Sequence, residues 1–93
     1  MTVGTLLVTA VVRDSGSLKE KRRVLKSLKD RVRDRFNVSV AELGSQDLWQ
    51  KTELGFAAIG NEARFVDGLL ANVLNYLRTT QAIDLVDHSI ELF

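Results

Sequence analysis

Apolar residues occupy every second position along the first stretch of the chain. Between Val3 and Arg13 the sequence is rich in β-branched residues, and this period of two predicts a strand. One face of the strand should pack on the core while the other faces away from it. The core-facing set is Leu6, Val8, Ala10 and Val12.

A helical period follows the turn residues that come after Arg13. Ser17-Leu-Lys-Glu20 has the form of a capping box. In such a box the Ser17 hydroxyl accepts from the backbone N–H of Glu20, and the Glu20 carboxylate reaches back to Ser17. The helix is predicted to run to about Phe36. Its apolar stripe consists of Leu18, Leu25, Leu28, Val32 and Phe36, with Val24 beside it.

The rest of the chain adds two strands, a helix and a last strand. The predicted ranges are Val38–Leu43, Thr52–Gly60, a helix from the N-cap Asn61 to about Arg78, and Ile83–Leu92. This order predicts one α+β domain over residues 1–93, a ferredoxin-like βαββαβ sandwich. Its four-stranded antiparallel sheet should carry both helices on one face, with the first and third strands at its centre.

Composition excludes several classes of site. The chain has 45% hydrophobic and 27% charged residues, no cysteine and one histidine, so a disulfide framework or a zinc cluster is not expected. We expect no metal and no cofactor. The apolar run from Val3 to Val12 is too short to span a membrane and lacks the features of a signal peptide, which favours a cytoplasmic protein.

The charge is concentrated in the first helix. Nine basic and three acidic residues lie between Leu18 and Phe36, so this segment carries +6 while the whole chain carries +1. Five of the cations recur at i, i+3, i+7, i+10 and i+14, a stripe about 21 Å long with Asp30 and Asp34 expected on the far side. They are Lys19, Arg22, Lys26, Lys29 and Arg33. Such a row could follow a phosphate backbone, or it could be a solvated face with local pairing.

The helix start is a second candidate site. Ser15, Gly16 and Ser17 lead into free backbone N–H groups at the positive end of the helix dipole, where a phosphate or carboxylate could bind. Any capped helix offers the same geometry, so a purely structural role stays open. Lys21 lies near the apolar side of this helix, and we expect its stem to follow the core edge with its amine in water.

Two other side chains are candidates for a functional role. Trp49, in the loop between the middle strands, could contact a base or a partner's pocket, or cover the end of the core together with Leu48. His88 lacks companions for a catalytic or metal site, so a structural role is favoured. We identify no catalytic residue. A small acyl-phosphate hydrolase is only a minor alternative. Such enzymes need a glycine-rich loop with an arginine over the phosphate, and the segment from Arg13 to Ser17 lacks this loop pattern.

Three segments carry a resemblance to a known family. Ser17-Leu-Lys-Glu-Lys-Arg22, Phe36-Asn-Val-Ser-Val-Ala-Glu42 and Gln46-Asp-Leu-Trp-Gln50 are similar to the YlxP-like family of small bacterial proteins of unknown function. The resemblance covers the whole chain, although Gly16 stands where members carry a bulky basic residue or histidine. It implies a ferredoxin-like fold, no established activity and gene neighbours that act in translation initiation and ribosome assembly.

These observations favour a non-enzymatic protein that associates with RNA or a ribosomal particle through its first helix. The alternative is a protein-interaction or dimerisation module that binds an acidic protein surface. The central strands offer no aromatic platform for base stacking unless Phe56 faces outward against its pattern. A homodimer is predicted through the apolar residues of the outer sheet face, Val3, Leu7 and Val11, or through the edge segment Val38–Leu43.

Overall fold

Six elements follow one another in the predicted order. The computed structural model describes residues 1–13, 15–44, 48 and 50–93. The elements are β1 (Thr2–Val12), α1 (Leu18–Arg35), β2 (Ser39–Glu42), β3 (Lys51–Gly60), α2 (Ala63–Thr79) and β4 (Ile83–Leu92). All strand pairs are antiparallel and the sheet order is β2-β3-β1-β4. The ferredoxin-like α+β prediction is therefore confirmed, with β1 and β3 at the centre of the sheet.

The predicted alternation of β1 is also confirmed. Leu6 lies opposite Phe56 of β3 and Ile90 of β4; Leu6 and Phe56 belong to the core beneath the helices, and the partly buried Ile90 packs against it. The register with β4 shifts between Thr9 and Ala10, which makes a bulge in that strand. Beyond the bulge Asp87 is paired with Thr9, so its side chain is placed on the outer face of the sheet.

Both helices bury an apolar stripe against the same face of the sheet. The fully buried helix residues include Leu25, Leu28 and Val32 of α1 and Val66, Leu70, Val73 and Leu77 of α2. A close approach at Gly4 of β1 lets α2 pack on the sheet. A Cβ at that position would lie 2.6 Å from Val66 Cγ1 and 2.8 Å from Leu70 Cδ1, so only hydrogen fits there.

Both helix starts differ in detail from the predicted caps. The Ser17 hydroxyl accepts from the Glu20 backbone N–H at 3.1 Å, as the capping box predicts. The Glu20 carboxylate instead accepts from the backbone N–H of Gly16 at 3.0 Å, one residue before the predicted partner Ser17. The N-cap of α2 is Glu62 rather than Asn61, and Glu62 makes no side-chain capping bond.

Candidate nucleic-acid interface

Two cations of the predicted stripe attach α1 to the edge of the sheet. Lys29 Nζ lies 3.0 Å from Glu42 Oε1 of β2, and both side chains are only about a fifth exposed. One terminal nitrogen of the Arg33 guanidinium donates to the Val40 carbonyl at 3.1 Å. These side chains therefore hold the helix against β2, and their capacity to bind a ligand is reduced.

Asp30 interrupts the stripe on the exposed side of α1. Its carboxylate accepts from Lys26 Nζ at 3.0 Å and lies 3.5 Å from a terminal nitrogen of Arg33. The hydrogen bond from Lys26 holds the pKa of Asp30 below its ordinary value. The expectation that Asp30 lies on the far side of the helix is wrong, because residues three and four positions apart are neighbours on a helix.

Within α1, the cations without such partners among the described residues lie at the start of the helix. Lys19, Arg22 and Arg23 are exposed and form no hydrogen bond or ion pair with the described residues. Together with Lys26 they form what we call the basic cluster, four cations within two turns. The spacing of the five-residue stripe did not identify Arg23, because Arg23 lies beside the stripe rather than on it.

A groove continues the positive surface on the other flank of α1. It has a volume of about 410 Å³ and separates α1 from the connection between α2 and β4. Arg23 and Arg31 line its helix side, and Arg13 also lines it. Arg13 also donates to Asp84 Oδ1 at 2.9 Å through Nε, and this hydrogen bond lowers the pKa of Asp84.

Two hydroxyl groups and one backbone N–H before the helix start already have partners within the chain. Ser15 Oγ donates to the Ser17 carbonyl at 3.1 Å, and the Gly16 N–H is bound to the Glu20 carboxylate. An external anion would have to displace this carboxylate before it could use the Gly16 N–H. Anion binding by Ser15, Gly16 and Ser17 stays a prediction.

Lys21 is a buried residue of the core rather than a snorkelling side chain. Only 2% of it is exposed, and its Nζ donates to the backbone carbonyl of Leu48. The expectation that the amine reaches water is wrong, because Lys21 continues the line of Leu25 and Leu28 into the core and finds an oxygen in the β2–β3 connection. The signal was its i+4 and i+7 spacing to those leucines. Trp49 lies outside the described residues, so its proposed contact role stays a prediction.

The remaining candidates from the sequence are His88 and Phe56. His88 is exposed on β4, and the described part of the chain holds no group of three side chains suited to a metal ion. No described helix is long and apolar enough to cross a membrane. Phe56 is 2% exposed on the helix side of β3, as its pattern predicts, whereas Phe93 is 71% exposed and was missed.

The family comparison agrees with the sequence motifs. A family model described as a protein of unknown function, DUF503, matches residues 3–90. The chain belongs to the DUF503 family. It is similar to the uncharacterized protein YlxP of Bacillus subtilis (strain 168), with 39% identity over 82 residues. That match covers 88% of this chain and 89% of the relative, which confirms the YlxP-like resemblance. Neither description assigns a DUF503 member an activity.

Proposed function

We propose that this DUF503 protein is a non-enzymatic cytoplasmic protein that associates with structured RNA or a ribonucleoprotein through the basic cluster of α1. The observation that supports the proposal is local: Lys19, Arg22 and Arg23 lie exposed and without described partners within two turns of one helix. A chain with a net charge of +1 does not need such a concentration for solubility.

The chemistry of the cluster suits phosphate. Arginine guanidinium groups can bind phosphate oxygens in a bidentate manner, and each phosphate contact releases counterions from the nucleic acid. Arg22 and Arg23 supply two such groups, and Lys19 and Lys26 add point charges on either side along the helix. Recognition would depend on backbone charge and shape, since the outer positions Gly55 and Ala57 of β3 provide no ring for stacking.

An acidic protein surface is the second candidate partner. Within the chain, Lys26 and Lys29 of α1 already bind the carboxylates of Asp30 and Glu42. The same helix could therefore bind carboxylates of another protein. The two candidates differ in salt dependence, because counterion release makes binding to a nucleic acid fall steeply with salt.

Charge reversal at the cluster tests the proposal. Lys19→Glu combined with Arg22→Glu removes two unpaired cations, whereas reversing Lys29 would place two carboxylates together at Glu42. The control is Arg64→Glu with Arg78→Glu on α2, which changes the net charge equally. Binding of a labelled RNA hairpin and of polyglutamate is measured by fluorescence anisotropy at about 50–200 mM salt.

We expect the α1 variant to bind the hairpin more weakly and its salt slope to fall by about two, one for each lost phosphate contact. The control variant should retain the wild-type slope. Equal loss in both variants would mean that net charge alone causes binding, and would refute the role of α1. Tighter binding to polyglutamate than to RNA at equal salt would instead support the acidic protein partner.

A further inference from the structure

The outer face of the sheet carries an apolar surface that the helices do not cover. The most exposed members are Leu43 at 54%, Ile59 at 58% and Phe93 at 71%, and Leu7 is 43% exposed at the centre of β1. The register places Leu7 opposite Gly55, and Val3 lies opposite Ile59. We call this surface the outer apolar face and define its members as Val3, Leu7, Ala41, Leu43, Ala57, Ile59 and Phe93.

The outer apolar face has a ridge between two hollows. Leu43 folds back across Gly55, where a Cβ would lie 2.8 Å from Leu43 Cδ1. Leu7 and Leu43 line both hollows, which have volumes of about 230 Å³ and about 260 Å³. A surface with both a ridge and hollows can be complementary to a second copy of itself across a two-fold axis.

The acidic residues of β4 decide how two copies could meet. Asp87 and Glu91 are exposed and their pairing with β1 places them on the outer face, whereas the charge of Asp84 on that face is balanced by Arg13. β2, at the opposite edge, contributes the uncharged Ser39 and Ala41. A two-fold axis across the strands would set β4 over its own copy and bring like charges together. An axis along the strands sets β4 over β2 and avoids this repulsion.

We propose that the outer apolar face is a homodimer interface in which β4 of each protomer lies over β2 of its partner. Three strands of ten or eleven residues and the four-residue β2, about 4.8 Å apart and rising about 3.4 Å per residue, give roughly 600 Å² for each protomer. The two copies together would bury about 1,200 Å², at the lower end of stable specific interfaces. A dissociation constant on the order of micromolar is therefore expected.

Sedimentation equilibrium at about 1–100 μM tests the dimer without any RNA present. Wild-type protein should reach twice its 10.4 kDa mass, and Leu7→Lys should raise the dissociation constant at least about tenfold, with a native circular dichroism spectrum. Phe65→Lys is the matched control, because Phe65 is 60% exposed on α2 in the helix layer. A wild-type monomer at 100 μM, or a Leu7→Lys dimer of unchanged affinity, overturns the proposal and leaves the face to a different partner.

Cross-linking tests the orientation separately. The chain has no cysteine, so Ala41→Cys on β2 and Ser89→Cys on β4 introduce single reactive thiols. A short bismaleimide should join the two variants when they are mixed, and each variant alone should cross-link poorly. Efficient cross-linking of Ser89→Cys to itself would place β4 over β4 and refute the proposed arrangement.

Discussion

Two glycines of the fold should respond in opposite directions to the same substitution. Gly4 of β1 lies beneath α2, where a Cβ would come within 2.9 Å of Leu92 and closer still to Val66 and Leu70. Val66 and Leu70 are fully buried, so they cannot move aside without disturbing the core. Gly68 is exposed in α2 with no atom within 4 Å of the position that a Cβ would take.

The expected magnitudes follow from these surroundings. An extra methyl group in a well-packed core costs about 1–3 kcal/mol, partly offset by about 0.4–1 kcal/mol because alanine restricts the unfolded chain. We therefore expect Gly4→Ala to lower the free energy of unfolding by about 0.5–2 kcal/mol. Gly68→Ala should raise it by up to about 1 kcal/mol, the difference in helix propensity between glycine and alanine.

Urea and thermal unfolding followed by far-ultraviolet circular dichroism measure the difference. For a domain of this size 1 kcal/mol corresponds to about 4–8 °C in Tm, so a difference of about 0.5–3 kcal/mol should separate the two variants by at least about 2 °C. All samples need the same protein concentration, because dimerisation would add to the apparent stability. If Gly4→Ala had the same free energy of unfolding as the wild type, α2 could move away from the sheet without loss of stability. The close approach at Gly4 would then not be a packing constraint.

Three further substitutions probe the helix start, the buried lysine and the edge of the sheet. Ser17→Ala should lower the free energy of unfolding in urea by about 0.5–2 kcal/mol, because the Glu20 N–H loses its capping partner. An unchanged free energy would mean that α1 does not depend on this cap. Lys21→Ala should cost about 2–4 kcal/mol in the same assay, because it leaves a cavity and an unsatisfied carbonyl in the β2–β3 connection; a neutral effect would contradict the burial. The hydrogen bond from Arg13 lowers the pKa of Asp84 in the folded protein below the value of 3.8 expected for the unfolded chain. The contact therefore stabilises the fold above the unfolded pKa, and this stabilisation is lost as the pH falls through the folded pKa. Asp84→Asn should therefore flatten the acid side of the stability curve, and an unchanged acid limb would show that the contact contributes nothing.

The spacing of apolar residues predicted the helices and strands well, because each type of element repeats its buried positions with its own period. The bounds of β4 agree with the prediction at Ile83 and Leu92, and those of β1 differ by one residue at each end. The buried face of β1 was also predicted, since alternation depends only on neighbours in the chain. The central places of β1 and β3 in the sheet followed from the topology that this order of elements favours.

The candidate site was harder to predict because partners from other elements complete it. The ion pair of Lys29 with Glu42 joins α1 to β2, and no spacing within the helix reveals it. Lys21 was placed correctly on the apolar side, but its burial depends on a carbonyl 27 residues away. The error at Asp30 was different, since its pairing with Lys26 is local and the i+4 spacing was present in the sequence.

The separation of charge between the two layers affects the rate at which partners meet. The basic cluster lies on the helix layer, while Asp87 and Glu91 lie on the outer face of the sheet, so the nearly neutral chain has, as a monomer, an electric dipole across its thickness that the two-fold symmetry of the proposed dimer would cancel. A polyanion at physiological ionic strength would sense this dipole only within about 8 Å. Within that distance the torque turns α1 toward the polyanion and the acidic sheet face away from it. Productive encounters would then be more frequent than random collision allows, and the advantage would disappear in concentrated salt.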